Sequence, residues 1–334
     1  MKTKLRTYGK KLMLSLASLL VALLVCEAAL QLADYNYTPL KIEVRAGVND
    51  WRVHHSFRDE HFTYDPQLLW RPRKSNYIFN SQGFRGKELA AEKKANEIRI
   101  FAVGDSNTLG WDDNPTDKIN NAANWPEFLE ECLASPGREV TVVNAGVYGY
   151  SSFQGVLRFK QTLPFKPDLV LISFGGNDPH RVSIPDAEFT AQVFHSPLFR
   201  TKTGQLVVAT WNRLLVPREE VKEEDLVARV SVKQYRKNLA EIIRISKANN
   251  IQCVLLTRPF MGASESAVWW KNFAPPYVDA TLEVGRECGV PVIDIHKIFK
   301  DREGLFADES HFTEAGHRFA AETICRRIRP LLLP

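Results

Sequence analysis

Acidic residues are absent from the first eleven positions, where Lys2, Lys4, Arg6, Lys10 and Lys11 stand without a counter-charge. Elsewhere neither sign is in excess. With those five set aside, 39 basic residues face 39 acidic ones, so the net charge of +5 belongs to the N-terminus. A neutral body excludes the electrostatic footprint of a nucleic-acid binder. Internal repeats and low-complexity tracts are also missing, and 44% hydrophobic with 25% charged residues excludes disorder and collagen. Cysteine is scarce, at five in 334 residues. Cys132, Cys253, Cys288 and Cys325 have no metal-ligand spacing, and Cys253 in an apolar run reads as a buried thiol. His54, His55 and His61 gather loosely with Asp59 and Glu60 but fit no metal motif. No metal or organic cofactor is expected.

What is present begins with one long apolar run. Leu12 to Ala33 is 22 residues, interrupted by Glu27, and about 20 suffice to cross the hydrocarbon layer. Its basic flank, residues 1–11, is expected to stay in the cytoplasm. No small-residue cleavage site is found after it, and Val25 stands before Cys26 where a lipoprotein needs a small residue. An uncleaved signal anchor over 12–33 is therefore expected, in preference to a cleaved signal peptide or a buried core helix. Glu27 is a cost inside a membrane, eased by its place in the outer half. The remainder then faces outward, where a disulfide is permitted.

Residues 34–96 mix aromatics, charges and turn signals and read as a juxtamembrane arm. The body, 97–334, turns regular. Ile98–Val103, Val140–Asn144, Leu169–Ser173, Ile251–Thr257 and Val290–Asp294 are short runs rich in Val, Ile and Leu, as buried parallel strands require. Helical stretches alternate with them at Trp125–Ala134, Phe153–Leu163, Val230–Ala248, Tyr277–Glu287 and Thr313–Ile328. The alternation predicts an α/β fold, a three-layer α/β/α sandwich on a five-stranded parallel sheet. Residues 179–229 form a long excursion, read as an insertion or cap.

Ligands of such folds sit at the C-terminal strand ends. Gly104-Asp105-Ser106-Asn107 comes after the first strand, where a tight turn can expose a serine hydroxyl. Roughly one chain in ten of this length carries Gly-Asp-Ser by chance, so it decides nothing alone. Asn144 to Ser152 comes after the second strand, with Gly146 able to bring a backbone amide to a ligand. Gly175-Gly176-Asn177-Asp178 comes after the third, and the Asn177 amide could donate to an oxyanion. Asp105 and Asp178 read as structural partners of turn amides. Asp308-Glu309-Ser310-His311 precedes the last helix, and its spacing of three lets a carboxylate fix an imidazole.

Serine, glycine, asparagine and Asp-x-x-His in this order resemble the SGNH (GDSL-type) hydrolases. The four residues of that name match Ser106, Gly146, Asn177 and His311, with Asp308 as the acid, over about Ile98 to Ile328. Asn107 stands where the older motif has Leu. The resemblance implies a flavodoxin-like sheet and a carboxylic ester hydrolase. Ser106 is then the nucleophile, His311 the general base and Asp308 its orienting acid. The oxyanion hole is made by the amides of Ser106 and Gly146 with the Asn177 side chain. The arm motif Asn80-Ser81-Gln82-Gly83-Phe84-Arg85-Gly86 resembles that of membrane-anchored bacterial members. It implies a single-pass inner-membrane protein with a periplasmic domain and an acyl ester substrate, such as an acylated glycan. Two other readings stay open. One is an O-acyltransferase using the same residues. The other is a non-catalytic glycan-binding or assembly protein, with Trp111, Trp211, Trp269 and Trp270 able to stack on sugars.

Overall fold

The computed structural model describes residues 2–33, 35, 61–65, 67–74, 78–90, 92–110, 123–135, 139–195, 197–215, 223–261 and 268–332. His54, His55, Asp59, Glu60 and Trp111 lie outside the described residues, as does the Trp269 side chain. A long helix α1 (Lys2–Leu32) leads. A hairpin comes next, β1 (Phe62–Asp65) antiparallel to β2 (Leu69–Pro72).

The body is built on a five-stranded sheet of β3 (Glu97–Gly104), β4 (Glu139–Asn144), β5 (Leu169–Ser173), β8 (Gln252–Leu256) and β9 (Val292–Ile293), in the order β4-β3-β5-β8-β9. All four pairings are parallel; Ile100 lies opposite Val142 on one side and Leu169 on the other. The strands are apolar at nearly every position because both faces are covered. Side chains then alternate between two cores. Phe101, Val103, Val170, Ile172, Cys253 and Leu255 point to one, and Ile100, Ala102, Leu169, Leu171, Val254 and Leu256 to the other.

Helices fill each side with stripes of their own 3.6-residue period. The first core takes Phe159 of α4 (Ser152–Lys160), Tyr235, Leu239 and Ile242 of α7 (Val232–Ala248), and Tyr277 and Val284 of α9 (Pro275–Cys288). The second takes Trp125 and Leu129 of α3 (Trp125–Leu133), and Ala321, Ile324 and Ile328 of α11 (Glu314–Leu332). A disulfide, Cys132–Cys325, joins those two helices. The three-layer sandwich expected from the strand–helix alternation is present, with element ends shifted by no more than four residues and Leu169–Ser173 unshifted. The last strand is shorter than its apolar run, Val292–Ile293 rather than Val290–Asp294.

Two features bear on the site. The arm is part of the first core, since Phe62, Leu69, Trp70, Phe79 and Phe84 are buried there. The excursion 179–229 is closed at its base by β6 (Arg181–Val182) paired antiparallel with β7 (Val227–Ala228). A fully buried ion pair, Arg229 Nη2 to Asp186 Oδ2 at 2.7 Å, locks the same base. Between them run α5 (Asp186–His195) and α6 (Lys202–Leu215); the short helices α8 (Val268–Phe273) and α10 (Ile295–Phe299) follow β8 and β9.

Candidate active site

Because the strands are parallel, their C-terminal ends share one edge, and the chain turns there after each. β3 ends at Gly104 and runs into the four-residue helix α2 (Ser106–Leu109), with Asp105 as N-cap. Asp105 Oδ1 accepts from the Asn107 amide at 3.0 Å, and the Asp105 carbonyl accepts from Thr108 and Leu109. Ser106 thereby sits at the first helical position, at a sharp bend.

The loop before α11 brings His311 to it. His311 Nε2 lies 2.8 Å from Ser106 Oγ, and Nδ1 lies 2.6 Å from Asp308 Oδ2. The other Asp308 oxygen accepts from the amides of Ser310 (2.8 Å) and His311 (2.7 Å). Burial raises the Asp308 pKa, but the His311 hydrogen bond and charge and those two amides outweigh it, holding the carboxyl well below the usual range. An ionised Asp308 on Nδ1 fixes the tautomer that leaves Nε2 free to accept the serine proton.

Two residues hold this loop against the serine turn. The Asn107 amide straddles His311: Nδ2 donates to the Ser310 carbonyl at 3.0 Å, and Oδ1 accepts from the Phe312 amide at 3.2 Å. Arg258, just past the end of β8, donates from Nε to Asp105 Oδ2 at 3.0 Å and from Nη1 to the Ser310 carbonyl at 2.7 Å. Arg258 is not among the residues expected from sequence. Its signal is its place: like Ser106, Gly146 and Asn177, it stands just beyond the C-terminal end of a parallel strand.

Gly146 is placed differently from expectation. Its amide donates to Asn144 Oδ1 at 3.0 Å and is therefore engaged. A Cβ here would stand 2.3 Å from the Leu109 nitrogen, so the glycine serves the close approach of this turn to α2. Three residues on, Gly149 has φ +72°, and its N–H has no hydrogen-bond partner among the described residues. The surrounding carbonyls are each tied down. Tyr148 O accepts from Trp70 Nε1 (2.9 Å), Gly149 O from Arg229 Nη1 (2.9 Å) and Tyr150 O from Asn177 Nδ2 (3.0 Å). A trans peptide points its C=O and N–H in opposite directions, so anchoring Tyr148 O on Trp70 sets the direction of the Gly149 N–H. Asn177 is thus brought against the Tyr150–Ser151 peptide, one residue beyond Gly149.

Asp178 accepts from the amides of Ser152 (2.9 Å) and Gly175 (3.1 Å), shaping both turns. Burial pushes its pKa up to about 6 against those bonds. The arm also reaches the site. Arg85 donates from its backbone to the Asn144 carbonyl and from Nη1 to the Leu109 carbonyl at 3.1 Å, capping the helix that carries Ser106.

The chain has relatives among known proteins. Residues 102–319 match the GDSL-like lipase/acylhydrolase family. An arylesterase of Vibrio mimicus is 36% identical over 91 residues, 27% of this chain. That match spans 42% of the arylesterase's length, less than half of the relative. Among solved structures, a lipase/acylhydrolase from Enterococcus faecalis aligns with 71% of this chain and 98% of its own at 23% identity, TM-score 0.49. An acetylxylan esterase from Geobacillus stearothermophilus aligns with 69% and 94% at 18% identity, TM-score 0.47.

Proposed function

Because the chain belongs to the GDSL-like lipase/acylhydrolase family, we propose that it is a serine esterase that cleaves acyl esters through an acyl-Ser106 intermediate. One observation carries the reading: Ser106 Oγ, His311 and Asp308 form a continuous hydrogen-bonded line of 2.8 and 2.6 Å. A serine hydroxyl is a poor nucleophile until a base within such reach takes its proton.

Ser106 Oγ would attack the ester carbonyl carbon while its proton passes to His311 Nε2. The carbonyl π electrons move onto oxygen, and the oxyanion would be met by the amides of Ser106 and Gly149 and the second Asn177 N–H. Each such donor is worth about 3 kcal/mol in the transition state. Collapse breaks the bond to the alcohol oxygen, which takes the proton from His311. Water then repeats the sequence on the acyl-serine and releases the acid. Gly149 replaces Gly146 in this scheme because its N–H, unlike that of Gly146, has no hydrogen-bond partner among the described residues.

The proposed setting is outside the cytoplasm, with an acylated glycan as the substrate class. Helix α1 supports the setting: an 18-residue stretch within Tyr8–Leu32 has a mean hydropathy of 2.3 and is not buried by the rest of the chain. The Cys132–Cys325 disulfide supports it independently, since such bonds persist in oxidising compartments. The chain should release p-nitrophenol from p-nitrophenyl acetate, with kcat/KM lowered at least about a thousand-fold by Ser106→Ala. Retention of activity in that variant would remove the assignment.

A further inference from the structure

Helix α6 is amphipathic in the wrong sense for a water-facing element. Val207, Trp211 and Leu214 recur at helical spacing on one face and are 53%, 60% and 71% exposed, with Leu198 just before the helix at 47%. The opposite side is turned inward, where Gln205 is buried and donates to the Phe199 carbonyl. Among the described residues, all large hydrophobic side chains this exposed lie on α1 or between 198 and 227. The two apolar surfaces are joined. Glu27, near the outer end of α1, accepts from the Thr203 amide (2.8 Å) and hydroxyl (2.9 Å) and from the Lys202 amide (3.1 Å). The carboxylate therefore satisfies the free N–H groups at the start of α6 and meets the positive end of its dipole. Glu27 lies five residues before Leu32, or about 8 Å along the helix at ~1.5 Å per residue. That depth lies in the outer leaflet if α1 spans the hydrocarbon, within the roughly 5–10 Å to which an interfacial helix buries its apolar face.

We propose that α6 is an in-plane membrane helix, docked on α1 through Glu27, whose Leu198, Val207, Trp211 and Leu214 enter the outer leaflet of the same bilayer. The proposal rests on the anchor reading of α1. Lipid is the occupant that fits, because the exposed face continues from a helix whose own apolar surface needs lipid, and the Glu27 contacts hold the two at one level. Trp211 is the residue type that favours the headgroup boundary, and Arg200 and Lys202 stand where anionic headgroups would be. The arrangement also gives Glu27 a role. A carboxylate that hydropathy counts as a defect in an anchor becomes the cap that orients the insertion. Since the base of the insertion is the Asp186–Arg229 pair, which also holds the Gly149 carbonyl, the membrane surface and the candidate site would share one rigid element.

The test uses the full chain in vesicles of phosphatidylethanolamine and phosphatidylglycerol, with Cys26→Ser and Cys288→Ser. Cys253 is buried and burial pushes its thiol up to about 12, so it does not compete for label. A single environment-sensitive fluorophore is placed by Leu214→Cys, by Ser18→Cys in the middle of α1, or by Glu241→Cys on the outer side of α7. Quenching is read from lipids bearing a nitroxide high on the acyl chain. The expected result is at least two-fold quenching at positions 214 and 18 and none at 241. Quenching at 18 without quenching at 214 overturns the proposal and leaves the anchor standing. No quenching at either removes the anchor reading and the proposal with it. A blue-shifted but unquenched label at 214 means that protein covers this face, which also overturns it.

Discussion

Arg258 and Asp105 form a buried ion pair, Nε to Oδ2 at 3.0 Å, across 153 residues of sequence. Asp105 caps the helix that carries Ser106, and the same guanidinium holds the Ser310 carbonyl beside His311. One side chain thus sets the distance between the proposed nucleophile and its base. Removing one partner of a buried pair costs about 3–5 kcal/mol. Arg258→Met should lower the unfolding free energy by that order in urea titrations. In the folded fraction it should reduce kcat far more than it raises KM. Unchanged kcat would show that the pair serves stability alone.

Trp70 makes a sharper prediction, because it lies outside the matched family region and its indole N–H donates to the site through one bond. Trp70→Phe keeps most of the ring volume and removes the donor to Tyr148 O. A net hydrogen bond is worth about 1 kcal/mol, and a misdirected Gly149 N–H adds to that. Ester turnover should fall by about ten-fold in kcat, beside the loss of stability expected when a buried ring is trimmed. A shift in midpoint without loss of kcat would assign Trp70 to packing only.

Acid should weaken the fold through His317. It is buried against Phe312, both ring nitrogens lack partners among the described residues, and burial lowers its pKa from 6.5 to about 3. In that window the unfolded chain holds a proton that the native chain refuses, so stability is full above pH 6.5 and falls as pH drops toward 3. One such group contributes a slope of about 1.4 kcal/mol per pH unit. His317→Phe should flatten the plot of unfolding free energy against pH by that amount between about pH 6 and 4. His180 and His296, also held low by burial, contribute to the slope with the same sign. An unaltered slope would contradict the neutral buried state.

The Cys132–Cys325 bond spans 193 residues and ties α3 to α11. Closing so long a loop restricts the unfolded chain, an effect of about 3–5 kcal/mol. The Cys132→Ala, Cys325→Ala double variant should lose stability of that order and become insensitive to reductant. Wild-type stability that does not respond to reductant would count against the bond.

The sheet is legible in the sequence because its strands are covered on both faces and so read as unbroken apolar runs. Ser106, Asn177, His311 and Asp308 are legible because each comes after a strand or precedes a helix, and the parallel topology gathers those ends. Gly146 and Gly149 could not be separated from sequence. Both sit in one turn, and only the direction of each amide, set by Asn144 in one case and Trp70 in the other, tells them apart. Arg258, and the hold of Asn107 on residues 310 and 312, depend on long-range pairing that no local period records. The role of Glu27 was hidden for the opposite reason: hydropathy counts a carboxylate as a defect and cannot see the helix terminus that it caps.

The proposed chemistry requires that Ser106 be a nucleophile activated by His311. The most direct measurement is intact-protein mass spectrometry after exposure to a fluorophosphonate, with the adduct mapped by peptide sequencing. One adduct is expected, on Ser106, slowed at least about a hundred-fold by His311→Gln in a variant with native circular dichroism. Failure of the native chain to label, or labelling at a residue other than Ser106, would contradict it.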